Sequence, residues 1–309
     1  MPKPNHATDH LVFACVIRIF AVLQRVYMRA VAYLRPARDC RTVFGALVHC
    51  DASDFIQRRI RFFQIFEHNL TYYTLGRLRE GDVYLDIGAN IGYFSLLASR
   101  CVGDTGKVIA VEADPVTFAA LRKNLELNGC RNVAPLNVAA TATECWVSME
   151  RRDPHNPGAN IITLTNSAGG IRGVPFCDIA GEDLARVRFI KIDIEGSEGP
   201  ILEAILAVLS DLPDDLIIAS EISPGSADYV ARFVAAGFRA HAIQNIYTID
   251  YYLIRAYLRR YGETTSVNMV PLDQYDPVYT DYTFERASGL RRIEAPSQYR
   301  GAAVAGSVN

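Results

Sequence analysis

The sequence predicts an α/β fold, a doubly wound sheet with helices on both faces and a helical extension before it. Three observations predict it. Val83–Glu112 reads V-Y-L-D-I-G-A-N-I-G-Y-F-S-L-L-A-S-R-C-V-G-D-T-G-K-V-I-A-V-E. That is strand, glycine turn, helix, strand, the opening unit of such a sheet. Apolar runs rich in β-formers then alternate with helical spacings as far as Phe284. Carboxylates stand at strand ends, Asp86 and Glu112 first among them, and ligands in open parallel sheets sit outside those ends.

In chain order, Met1–His10 is polar and Leu11–Leu34 is apolar, interrupted by Arg18, Arg25 and Arg29. No run reaches the ~18–20 uncharged residues that span a bilayer. Arg18 also falls inside what would be the apolar core of a signal peptide. At about 100° per residue the three arginines fall within about 40° of one another. This is a helix with a narrow basic stripe and a broad apolar face. It suits a membrane surface, substrate handling, packing on the domain, or a homodimer contact. Pro36 ends it. Residues 1–50 are read as this extension, 51–286 as one domain and 287–309 as a loose tail.

Asp51–Arg79 reads as a second helical lead-in, with Phe62, Phe63, Ile65 and Phe66 for the core and Glu67 within reach of the crevice or simply solvated. After Glu112, Asp114-Pro115 is an N-cap followed by proline at the first helical position. Asn128-Gly129 stops that helix. Val133–Ala140 is the third strand, with Asn137 near its tip. Thr141–Asp183 is long for a connection and predicts a lid. Arg188–Gly196 alternates Ile190, Ile192 and Ile194 with Lys191, Asp193 and Glu195, whereas a central parallel strand is normally apolar on both faces. Leu216–Ile222 is the fifth strand and contains Glu221. Arg239–Ile243 is the sixth. Asn268–Leu272 and Tyr282–Phe284 supply the last strand and its partner. Tyr247–Tyr261 carries five tyrosines and three arginines, which suits sugar stacking, a dimer interface or an amphipathic helix.

The chemistry at the crevice follows from charge. A dinucleotide site would read Gly-x-Gly-x-x-Gly and hold a pyrophosphate at the helix N-terminus. Here Gly88 and Gly92 are spaced Gly-x-x-x-Gly, with Asn90 between them and Asp86 two residues before. Asp86 would repel a pyrophosphate and attract an ammonium group. Glu112 is placed to accept hydrogen bonds from two ribose hydroxyls. A ligand with an amino-acid ammonium at one end and a ribose at the other is S-adenosylmethionine.

Composition sets further bounds. The chain has 309 residues and a formal charge of -2, so no global electrostatic case exists for nucleic acid. Its seven cysteines form no Cys-x-x-Cys and its six histidines no ligand pair. That pattern predicts free thiols in a cytoplasmic, reducing setting and no zinc site.

The motifs converge on a resemblance. Leu85–Phe94, Gly106–Pro115, Leu121–Asn128, the Asn137–Ala140 tip, Gly181–Leu184 and Phe189–Glu198 resemble the FkbM-type family of S-adenosylmethionine-dependent methyltransferases. The resemblance covers about Glu67 to Phe238. It implies the seven-strand Rossmann-like class I methyltransferase sheet, ordered 3-2-1-4-5-7-6 with the last strand antiparallel. It also implies methyl transfer to a hydroxyl, often on a sugar or secondary metabolite. Two departures stand out. Ala113-Asp114 precedes Pro115, and Ser223, not a histidine, follows Glu221-Ile222.

An alcohol is a poor nucleophile near neutral pH, so a base or a metal is expected. Asp193 is the candidate base or acceptor-orienting group, with Glu195 or Glu221 second. Asp193 could equally hold the cofactor's methionine end. A metal on Asp193 and Glu221 lacks a histidine partner, so none is assigned. Asp86, Gly88, Asn90, Gly92, Glu112, Asn137 and Asp193 form the expected cofactor set. A nicotinamide dehydrogenase would explain Glu112 but not Asp86 or the missing third glycine. A non-catalytic scaffold would explain the N-terminal helix but not the intact crevice set.

Overall fold

In a computed structural model the chain is described at residues 19, 22–23, 26–28, 30, 36–150, 161–165, 170–194, 196–249, 251–253, 255, 269–270 and 280–286. The first strands, β1 (Arg38–Arg41) and β2 (Leu47–Cys50), pair as an antiparallel hairpin. Its inner residues Val48 and Cys50 are buried in the domain core. The hairpin, which lies within residues read as the extension, thus packs against the domain core. Two helices follow, α1 (Phe55–Phe63) and α2 (His68–Arg77). The expected single lead-in is broken between them, where Gln64 and Glu67 take left-handed backbone angles.

The sheet and its helices run β3 (Val83–Ile87), α3 (Tyr93–Val102), β4 (Lys107–Val111), α4 (Pro115–Leu127) and β5 (Val133–Leu136). Asp114 caps α4 by accepting from Val116 N, with Pro115 at the first turn. The segment predicted as a lid forms a sheet of its own, and Ala139, Ala140 and Met149 from it line the cavity described below. This sheet holds β6 (Ala139–Thr141), β7 (Cys145–Glu150), β8 (Ile161–Thr165) and β9 (Ile171–Pro175) in the order β6-β9-β7-β8. The chain then continues through α5 (Phe176–Ala180), β10 (Val187–Ile192), α6 (Glu198–Ala207), β11 (Ile217–Ile222), α7 (Asp228–Ala235), β12 (Phe238–Ile243), β13 (Met269–Val270) and β14 (Thr280–Arg286).

The main sheet is ordered β5-β4-β3-β10-β11-β14-β12-β13. Strands β5, β4, β3, β10 and β11 are parallel, and β14 enters antiparallel between β11 and β12. Leaving aside the two-residue β13, this is the order 3-2-1-4-5-7-6.

Successive side chains of a strand point to opposite faces, and each face here has its own core. Leu85, Ile87, Ile190 and Ile192 pack with Ile201 and Leu202 of α6. Tyr84 and Phe189 pack on the other face with Leu96, Leu97 and Leu121 of α3 and α4. The alternation read at Arg188–Gly196 has its cause in the same rule. Lys191 pairs in register with Asp86 of β3, so a buried cation and a buried carboxylate share one face. The Lys191 ammonium lies 3.9 Å from Asp86 and 3.0 Å from Asp193.

At the N-terminus, Ile19, Val22, Leu23 and Val26 are 56–63% exposed, while Met28 is buried against Phe63, Ile65 and Tyr252. Among the described residues no helix is long and apolar enough to cross a membrane.

Candidate active site

A cavity of about 260 Å³ opens at the carboxyl ends of β3, β4, β10 and β11. The turn after β3 shapes one wall. Gly88, Asn90 and Gly92 have φ of 79°, 50° and 90°, a left-handed series that glycine and asparagine adopt most readily. A Cβ on Gly88 would stand 1.9 Å from the Asp193 carbonyl oxygen, so the glycine lets the β3 and β10 loops touch. Asn90 ties the turn to the next strand: its N–H donates to Glu112 Oε2 at 2.8 Å, and Asp114 N–H donates to Glu112 Oε1 at 2.8 Å. Glu112 lines the cavity. Burial pushes its carboxyl up to about 7, against those two backbone hydrogen bonds.

The sequence-derived residues do not all meet there. Gly88, Asn90, Glu112, Asp193 and Glu221 line the cavity. Asp86 does not. It is fully buried, because its position in β3 turns it away from the crevice toward α3, where Ser95 Oγ donates to it at 2.5 Å. Its other oxygen, Oδ1, has no hydrogen-bond partner, and burial raises its carboxyl above the usual range while Lys191 opposes the rise. Gly92 packs its α-carbon against Leu121, which a Cβ would meet at 2.5 Å. Asn137 is exposed and donates to the carbonyls of Glu112 and Ala113 at 2.8 and 3.0 Å. It braces the β4 loop, and Val138, Ala139 and Ala140 form the wall instead. Glu195 lies outside the described residues.

Sequence reasoning misses Asp281; it offers Glu67 as within reach of the crevice or simply solvated, and Tyr247 only as one of five tyrosines suited to sugar stacking, a dimer interface or an amphipathic helix, and both line the cavity. Glu67 is 7% exposed and Tyr247 Oη donates to it at 2.8 Å. Asp281 stands opposite Glu221 in the β11–β14 register. In the tyrosine-rich segment, Tyr247 faces the cavity and Tyr252 packs on Phe63. Tyr257 and Tyr261 lie outside the described residues. The only signal for Asp281 is its place in an antiparallel last strand, which sets its register against Glu221.

Among the described residues no group of three or more His, Cys, Asp or Glu side chains is arranged to hold a metal ion. The described cysteines, Cys40, Cys50, Cys101, Cys130, Cys145 and Cys177, are free thiols.

Residues 86–262, more than half of the chain, match the family described as Methyltransferase FkbM domain. The chain belongs to the FkbM methyltransferase family. Among relatives, it is 24% identical over 180 residues to Methyltransferase 1 of Beauveria bassiana, covering 51% of this chain and 71% of that one. Over 57 residues it is 39% identical to the 23S rRNA (uracil(1939)-C(5))-methyltransferase RlmD of Acinetobacter baylyi, which is 18% of this chain and 12% of that one. Among solved structures, an S-adenosylmethionine-dependent O-methyltransferase of Thermotoga maritima is 14% identical with a TM-score of 0.42, covering 84% of this chain and 80% of that one.

This FkbM methyltransferase uses S-adenosylmethionine, and the cavity suits it. Glu112 stands at one end with acceptor oxygens. Apolar Val111, Val138 and Ala139 offer walls for a flat base. Asp193, Glu221 and Asp281, beside Glu67, make the far end acidic, which suits an ammonium and a sulfonium.

Proposed function

We propose that this methyltransferase carries the methyl group of S-adenosylmethionine to a hydroxyl oxygen of a saccharide or a secondary metabolite. The observation that carries the reading is the lining of the cavity's far end. Four carboxyl groups, Glu67, Asp193, Glu221 and Asp281, stand there beside the rings of Phe55, Phe66 and Tyr247. Carboxylates accept hydrogen bonds from hydroxyls, and aromatic faces cover the apolar face of a sugar ring. Among the described lining residues there is no arginine or lysine. Of the buried cations behind the lining, Lys191 is engaged by Asp193 and Asp86, and Arg59 stacks on the Phe55 ring and donates to the Tyr247 carbonyl. Nucleic-acid binding is dominated by cationic contacts to phosphate, so this lining supports a small acceptor over RNA or DNA.

Within the reading, Glu112 takes the ribose hydroxyls and the Gly88–Asn90 turn the methionine side. Asp193, held by Lys191, takes the ammonium in place of the buried Asp86. Glu221 lines the acceptor end. When bound, the cofactor supplies a methyl group already activated on a sulfonium, so the protein supplies orientation and a place for the acceptor's proton. Residues 11–34 add peripheral contact with an anionic lipid surface, supported by the exposed apolar stripe at Ile19, Val22, Leu23 and Val26.

Incubation with S-adenosylmethionine labelled in its methyl group tests the acceptor class, with hydroxylated saccharides and metabolites in parallel with RNA. The expected result is label on an oxygen of a small acceptor. Label on RNA, or on carbon, would contradict it.

A further inference from the structure

We propose that Asp281, with Glu67 and Tyr247, forms the acceptor side of the transfer site, and that Asp281 takes the proton of the attacking hydroxyl. This rests on the reading of the chain as an O-methyltransferase.

The geometry separates Asp281 from its neighbours. Asp193 presents an oxygen already engaged by the Lys191 ammonium at 3.0 Å. Asp281 pairs with Glu221 across β11 and β14, lines the cavity, and among the described residues has only its Oδ2 held, by the amide of Asn245. The other oxygen is the one that can receive a proton. Burial, and after it the charge of Asp193, pushes the Asp281 carboxyl up to about 6, against the Asn245 hydrogen bond and Lys191. A base near the working pH is ionised yet still basic enough to accept a proton.

Glu67 carries two marks of a built site. Its backbone is left-handed, φ 41°, a conformation that strains a non-glycine residue and tends to persist where the surroundings require it. Its side chain is buried beside the cavity with Tyr247 Oη donating to it. Burial, followed by the charges of Asp281 and Asp193, raises its carboxyl well above the usual range. The rise favours the protonated carboxyl, the form that can donate a hydrogen bond to the acceptor.

The step balances without a co-reactant. The acceptor oxygen forms its bond to the methyl carbon as the carbon–sulfur bond breaks. The electron pair stays on sulfur, which becomes a neutral thioether. The hydroxyl proton passes to Asp281.

The groups around Asp281 are Glu67 at the start of α2, Lys191 and Asp193 at the end of β10, Glu221 of β11, and Asn245 and Tyr247 beyond β12. A carboxylate facing the transferred methyl senses the sulfonium charge of S-adenosylmethionine but not the neutral thioether of S-adenosylhomocysteine. Calorimetric titration of the full chain with each ligand, from pH 5 to 8, therefore tests the placement without an acceptor. The wild-type chain is expected to prefer S-adenosylmethionine by about tenfold above pH 7, as one partly screened charge pair supplies. That preference falls as the pH drops through about 6, where Asp281 takes a proton. Asp281→Asn should flatten the preference and leave S-adenosylhomocysteine binding unchanged. Asn245→Ala, which removes the hydrogen bond to the ionised form, should move the inflection to higher pH. Equal loss of both ligands in Asp281→Asn, or a pH-dependent preference that survives it, would overturn the proposal. So would a wild-type chain that binds both ligands equally. A wild-type chain that binds neither would instead overturn the cofactor reading beneath it.

Discussion

Glu112 shows how one carboxyl is prepared for its task by the backbone around it. Its two oxygens accept from Asn90 N–H and Asp114 N–H, which fixes the group at the end of β4. Burial holds its carboxyl at about 7. The ionised form offers lone pairs to a ribose diol; protonation turns one oxygen into a donor. Affinity for S-adenosylhomocysteine should therefore be full above pH 7 and fall as the pH drops below it, by up to about tenfold per unit. Glu112→Gln should bind weakly with no such slope between pH 6 and 8. Calorimetry at four or five pH values checks this, and a wild-type curve flat across that window would refute it. Glu112 is legible in the sequence because an acid just past the tip of the strand beside a glycine turn faces the crevice by its position alone. Asp86 is legible as important, but its direction is not. Whether it meets the crevice or α3 depends on strand register and on a buried partner, Lys191, that lies about a hundred residues away.

Elements show the same division. The β3–α3–β4 unit is readable because its glycines, apolar period and turn chemistry agree. The break between α1 and α2 is not, since Gln64 and Glu67 adopt positive φ without the glycine or asparagine that would announce it. That break puts Glu67 on the cavity wall. The α2 helix is then fixed to β14 by a buried ion pair, Arg77 to Glu285 at 2.7 Å, to which Tyr73 also donates. The N-terminal helix leaves a large apolar stripe open, at Ile19, Val22, Leu23 and Val26. Each basic residue near an anionic membrane contributes about 1 kcal/mol, and the apolar stripe adds insertion. The full chain should float with vesicles containing phosphatidylserine and less with phosphatidylcholine alone, and Leu23→Asp/Val26→Asp should abolish it. Equal flotation by the double variant would remove the helix from that role.

For the molecule as a whole, the strand order follows from motifs spread along the chain, because right-handed crossovers and a switch of direction leave few topologies. The second sheet from Ala139 to Pro175 reads as a lid in the sequence, because its strands are short and separated by Pro, Gly and Asn. The proposed acceptor side is the least legible part. Glu67, Tyr247 and Asp281 come from three distant segments and meet only when β14 slots between β11 and β12. The most direct test of the account is calorimetric titration of the purified chain with S-adenosylhomocysteine, with NAD in comparison. The account predicts binding of the former at micromolar concentrations, lost in Glu112→Ala, and none of the latter. Binding of NAD in place of S-adenosylhomocysteine would contradict it.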